Sequence, residues 1–133
     1  MTPPETRLAV LIGSMEPELV EGEWAFVTLP DGADPAPLRP RAVFVESEGV
    51  SAVVRCKAAR RHGLAHDGAF RQITLRVRSS LHAVGLTAAV AARLAERGIP
   101  ANVVAATHHD HVFVPAERAD EALRSLVALS AGR

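Results

Sequence analysis

Two short stretches hold most of the chemical potential of this 133-residue chain: Ser79-Ser80 with Gly85 shortly after, and His108-His109-Asp110-His111. The first leads into a run of helix-forming residues. A helix N-terminus presents unbonded N–H groups and the positive end of the helix dipole, which suits a carboxylate. Gly85 lets a ligand approach the backbone closely, and Ser79 and Ser80 add hydroxyl donors. Asp110 can hold an ammonium group through a charge-assisted bond. One pole for an anion and one for a cation is what a zwitterion such as an amino acid needs. Each residue also has a plainer use. Gly85 can serve close helix–sheet packing, Ser79-Ser80 can be simple helix caps, and Asp110 can be a turn residue bonded to its own backbone.

The histidines invite a metal. Alternate strand residues share a face, so His109 and His111 could reach one ion, with His82 as a further ligand. No His-x-x-x-His helix supports such a site, and a single cysteine, Cys56, cannot form a cysteine pair. The expectation is a polar hairpin tip whose histidines touch a ligand, with no metal and no cofactor. Because histidine titrates near neutrality, binding there would respond to pH. Nothing resembles a nucleophile elbow or a phosphate loop. Cys56 reads as a small buried hydrophobe and Trp24 as a core or interface anchor. The chain is therefore expected not to be an enzyme.

Which elements position these residues? Thr2-Pro3-Pro4-Glu5 reads as a capping box before a short helix carrying Leu8, Leu11, Ile12 and Met15, ended by Pro17 and Gly22. Trp24 to Leu29 is a strand, 30–40 a loop, and 42–45 with 50–55 a hairpin turning at Glu48-Gly49, before a short helix over 56–62. The segment 63–69 separates two halves. Phe70 to Arg78 alternates as a half-buried strand, and a helix over 83–97 has the ridge Leu86, Val90, Leu94, with Gly98 as its stop. Ala101 to Ala106 and His111 to Val114 form a hairpin, and a last helix opens at Pro115. The second half thus reads β-α-β-β-α. It lacks a final strand, which the first half is expected to supply.

Composition narrows the rest. The formal net charge is zero and no basic patch stands out, so nucleic acid is not an expected partner; Arg60-Arg61-His62 is as well explained by a solvated helix end. No apolar run approaches a membrane span, and the start of the chain is unlike a signal peptide. A lone cysteine suits a reducing, cytoplasmic setting.

The β-α-β-β-α order, with a strand-to-helix loop facing a hairpin, resembles the ACT domain. Three segments resemble a group of small bacterial proteins with paired ACT-like lobes. They are Leu11 to Leu19 leading into Gly22–Leu29, Ser79-Ser80-Leu81-His82-Ala83-Val84-Gly85-Leu86-Thr87-Ala88-Ala89, and Asn102 to Pro115. An aromatic residue usual near Ala106-Thr107 is missing, and a usual Arg-Glu-Ala-Glu-Gly-like segment appears as Val45-Glu46-Ser47-Glu48-Gly49. The resemblance implies an α+β, ferredoxin-like ACT architecture. It would have two interlocked βαββαβ-like lobes, with antiparallel sheets and helices packed on one face. We place the amino-terminal lobe at 1–66 and the carboxy-terminal lobe at 67–133. It further implies a regulatory module that binds a small molecule, an amino acid first, commonly at an interface in a homodimer or higher oligomer. Distant tandem-ACT relatives are cytosolic arginine sensors, in which a glycine at a helix start and a facing aspartate hold the amino acid; Gly85 and Asp110 correspond. The expected ligand-binding set is Ser79, Ser80, Val84, Gly85, Leu86, Thr107, His108, His109 and Asp110. A structural protein–protein module and a histidine-dependent metal-binding protein are the alternatives.

Overall fold

A computed structural model describes residues 6–133. The capping box expected at Thr2–Glu5 lies outside the described residues. The described residues divide into two units, one made of 6–21 with 71–133 and the other of 22–70.

The first unit is built around the alternation in 71–77. Ile73 and Leu75 point to one side of strand β5 (Phe70–Leu75) and are fully buried. Helix α3 (Leu86–Glu96) lays Leu86, Val90 and Leu94 on that face, the ridge read from the sequence. Burying each such side chain contributes about 1.5–3 kcal/mol. Helix α4 (Ala119–Ser130) adds Ala119, Ala122 and Leu126, and helix α1 (Leu8–Gly13) with the residues after it adds Leu11 and Met15. β5 also neighbours β7 (Asp110–Pro115), which pairs antiparallel with β6 (Asn102–Ala105). The missing strand is Pro17–Leu19, β1, antiparallel to Leu75–Ile73. In the sequence Pro17 marks only the end of a helix. Proline is tolerated as the first residue of a strand, and Glu16, at φ 45°, makes the bend that turns the helix end into it. The strand order is thus β1-β5-β7-β6.

Helix α3 starts three residues later than the pattern suggested, because Gly85 has φ 105° and ψ −21° and lies outside helical space. It ends where expected. Gly98 N–H bonds to the Ala95 carbonyl at 2.9 Å, and Ile99 N–H to the Leu94 carbonyl at 3.0 Å. This is a Schellman motif, with Leu94 and Ile99 sharing the core. The last helix is preceded by a tight 3-10 turn over Ala116–Arg118.

In the second unit, β2 (Trp24–Thr28) and the hairpin β3 (Ala42–Glu46) and β4 (Gly49–Arg55) form an antiparallel sheet. Ala25, Val27, Ala52 and Val54 on one face pack with Leu38 and with Cys56 and Ala59 of α2 (Cys56–Arg61). Glu46 pairs with Gly49, so the hairpin turns at Ser47-Glu48, one residue before the expected position. On the other face, Phe26 meets Phe70 edge-on at 5.0 Å. Leu29 N–H bonds to the Val50 carbonyl, so Val50 and Ala52 direct their peptide groups to β2 while Gly49, Ser51 and Val53 direct theirs to β3. By the same alternation Val43 and Val45 direct their N–H and C=O to the open side of β3, the last strand in the order. Val45 is 86% exposed.

Candidate functional site

In the first unit, the segment between β5 and α3 folds back toward the β6–β7 hairpin. Asp110 was expected in the hairpin turn; it is the first residue of β7 instead, paired with Ala105 and buried. The turn proper is Ala106–His109, closed by Ala106 N–H to the His109 carbonyl at 3.1 Å. Ser79 donates its hydroxyl to Asp110 Oδ2 at 3.5 Å. Ser80 Oγ accepts the N–H of His82 at 3.0 Å and its carbonyl accepts that of Ala83, which fixes the turn leading to Gly85.

Together these residues enclose a cavity of about 140 Å³, bordered by Ser79, Ser80, Gly85, Leu86 and Asp110. The start of α3 borders it. The first intrahelical bond runs from Ala89 N–H to the Gly85 carbonyl, so the N–H groups of Leu86, Thr87 and Ala88 have no acceptor within the helix. Glycine at the cap supplies no side-chain acceptor either. Asp110 also borders the cavity. Burial raises its pKa above the ordinary carboxylate value; the Ser79 hydroxyl and the nearby His109 oppose that rise but do not cancel it. A partner bearing positive charge would restore the ionised form.

Four residues of the expected set do not border this cavity. Val84 is 82% exposed, and Thr107 and His108 sit exposed at the hairpin tip. His109 is part-buried, with Nδ1 3.3 Å from the Val77 carbonyl. Leu81, Ala83, Thr87 and Ala105 line the cavity without having been anticipated. Ala105 was findable, since it is the cross-strand partner of Asp110.

The metal alternative gains nothing from the geometry. His111 Nδ1 lies 3.0 Å from Thr74 Oγ1 and 3.1 Å from Gln72 Nε2, turned into a polar cluster on β5. Among the described residues no group of three or more His, Cys, Asp or Glu side chains stands close enough to hold an ion. Nor is any described helix long and apolar enough to cross a membrane. A wider groove in the same unit, about 630 Å³, runs past Glu16, Glu18, Arg76 and Val127. It is an open trough whose Arg76 and Glu18 face each other at 3.9 Å, so the smaller, more enclosed cavity is the better candidate.

Comparison with known proteins agrees with this architecture. Residues 3–71 and 69–128 each match a family model described as an ACT domain. The chain belongs to the ACT-domain family. Its sheet order and one-sided helices are the ferredoxin-like ACT architecture, and the first ACT match contributes β1 to the sheet built mainly from the second. The ACT chain is similar to a Vibrio cholerae protein of unknown function described as a possible transport protein. That similarity has 44% identity and a TM-score of 0.84, covering 92% of this chain and 95% of that one. An Agrobacterium tumefaciens protein shares the fold at 17% identity and a TM-score of 0.72, over 86% of this chain and 87% of that one. So does the ligand-free regulatory subunit of aspartate kinase from Thermus thermophilus, at 12% identity and a TM-score of 0.61, over 87% and 97%. A search of curated proteins gave no match.

Proposed function

We propose that this ACT protein is a non-enzymatic regulatory module that binds an amino acid in the cavity between the start of α3 and Asp110. The observation that carries the reading is that two unlike poles border one cavity of about 140 Å³, the first turn of α3 with its unbonded N–H groups and the buried Asp110. The ligand carboxylate would take the N–H groups of Leu86 and Thr87, and its ammonium would pair with Asp110. Ser79, Ser80 and Gly85 shape the site; Val84, Thr107, His108 and His109 are second-line contacts that a bound side chain would reach past the rim. The regulatory subunits of aspartate kinase share this fold and support a regulatory role. In sequence we keep the lobes at 1–66 and 67–133, and we place the protein in the cytoplasm.

Self-association fits the same reading. Arg39 and Arg41 precede the apolar Val43–Val45, and Glu46 and Glu48 follow it. Two copies of β3 paired antiparallel about Phe44 would set basic ends against acidic ends and match the outward peptide groups of Val43 and Val45.

The test is a thermal-shift screen of the twenty amino acids on the wild type and on Asp110→Ala. A ligand at a hundred times its Kd stabilises the native state by about 2.7 kcal/mol. One amino acid that stabilises the wild type and not the variant is the expected result. A full panel at millimolar concentration with no shift ends the amino acid reading.

A further inference from the structure

The second unit holds a separate cleft of about 370 Å³ whose charged lining is entirely basic: Arg39, Arg55, Lys57 and Arg61, with His62 beside them. Among the described residues no acidic side chain borders it. We propose that this cleft is a binding site for a compact small-molecule polyanion, a phosphate or polycarboxylate bearing at least two negative charges.

Ordinary helix electrostatics accounts for only part of the cluster. Arg60 and Arg61 close α2, where cations favour the negative end of the dipole. Arg55 and Lys57 sit at the opposite end, where cations are disfavoured, and the first turn carries no acid to offset them. Lys57 and Arg61 are four apart on one helix face, a spacing at which like charges repel. The facing wall adds another cation. Arg39 ends the 3-10 turn Ala36–Leu38 in the left-handed conformation, at φ 49° and ψ 59°, an unusual state for a residue with a side chain. The turn is held in place by buried Leu38 and by Asp34, whose carboxylate accepts the Ala36 N–H at 3.0 Å. Strain of this kind gathers at ligand clamps. Arg55 stands at the margin of the cleft, its guanidinium stacked over the Trp24 ring at 4.9 Å and lying against Gly22. Arg39 on one wall and Lys57 with Arg61 on the other suit charge-assisted contacts to phosphate or carboxylate oxygens, and the volume falls in the range of small-molecule clefts. Arg39, Lys57 and Arg61 bring like charges to one hollow, and an anion bound there would offset their repulsion.

The test uses the full chain and two probes, inorganic pyrophosphate and citrate, titrated calorimetrically at constant ionic strength. Saturable binding is expected from at least one, and Lys57→Ala/Arg61→Ala should weaken it tenfold or more. In anion-poor, low-salt buffer the same exposed substitutions should raise the melting temperature, a reversal that a structural role would not produce. Pyrophosphate binding alone assigns a phosphate ligand, and citrate alone a polycarboxylate. Either result supports the site if the double variant loses it. No saturable binding below 10 mM overturns the proposal, as does binding that the double variant leaves intact. Asp110→Ala should bind these probes normally, so this site and the amino acid site stand or fall separately.

Discussion

Gly85→Ala is the most informative single change in the first unit, because the structure separates two reasons for the glycine. A side chain at φ 105° lies beyond the ordinary left-handed well, and holding an L-residue there costs about 1–3 kcal/mol. A Cβ would also stand 3.0 Å from Leu8 Cδ2 and 3.3 Å from Cδ1. Leu8 is 39% exposed, so its side chain can swing aside for a few tenths of a kcal/mol, roughly. Against these costs, alanine stiffens the unfolded chain and returns about 0.4–1 kcal/mol. The net expected loss is about 1–2 kcal/mol, dominated by the backbone. With a urea slope of about 2 kcal/mol per M, the midpoint should fall by about 0.5–1 M. Far-UV circular dichroism should follow it, since the sole tryptophan, Trp24, belongs to the second unit. Adding Leu8→Ala should recover little. An unchanged midpoint for Gly85→Ala, or full recovery in the double variant, would refute the backbone explanation. Full recovery in the double variant would leave packing against Leu8 as the reason for the glycine.

Other outcomes follow from the same coordinates. The raised pKa of Asp110 means that the folded state holds its proton more tightly than the unfolded chain. The stability this gives is therefore present below the ordinary carboxylate value and is lost as pH rises through the raised one; Asp110→Asn should abolish that slope in pH-dependent melting. Over the same window an ammonium-bearing ligand should bind more tightly as pH rises, with proton release detectable by calorimetry in buffers of different ionisation heat. Val45→Lys should turn a self-associating chain into a monomer by light scattering; an unchanged mass would remove β3 from the interface. Cys56 is 3% exposed and burial, with Glu23 nearby, raises its thiol pKa, so a thiol reagent at neutral pH should label it only as fast as the unit opens.

Much of this was legible in the residues because single patterns decided it. The ridge of α3 and its stop at Gly98 follow from helical spacing and a residue that tolerates positive φ, and the alternation at 71–75 left only one strand reading. What was missed depended on tertiary context. Nothing local marks Pro17–Leu19 as a strand: three residues carry too short an alternation, and the ladder with Ile73–Leu75 is what makes them one. Asp110 looked like a turn residue because its neighbours are polar, whereas hairpin register draws it into β7 and under Ser79. Ser79, Ser80, Gly85, Leu86 and Asp110 come together around one cavity. Thr107 and His108 are near Asp110 in sequence, but they sit exposed in the turn and do not border the cavity.

The strand contributed by Pro17–Leu19 has a consequence for how the protein is made. The ribosome releases this segment some fifty residues before its partner Ile73–Leu75, so the first unit cannot close until synthesis has passed the whole of the second. Until then Leu11 and Met15 have no core to enter. Splitting the gene near residue 66 would not yield two self-sufficient pieces. The later fragment would carry an open sheet edge and the earlier one the strand that fits it, so the two should reassemble in trans. Between intact molecules, the same segment is the natural candidate for exchange of identical strands at high concentration.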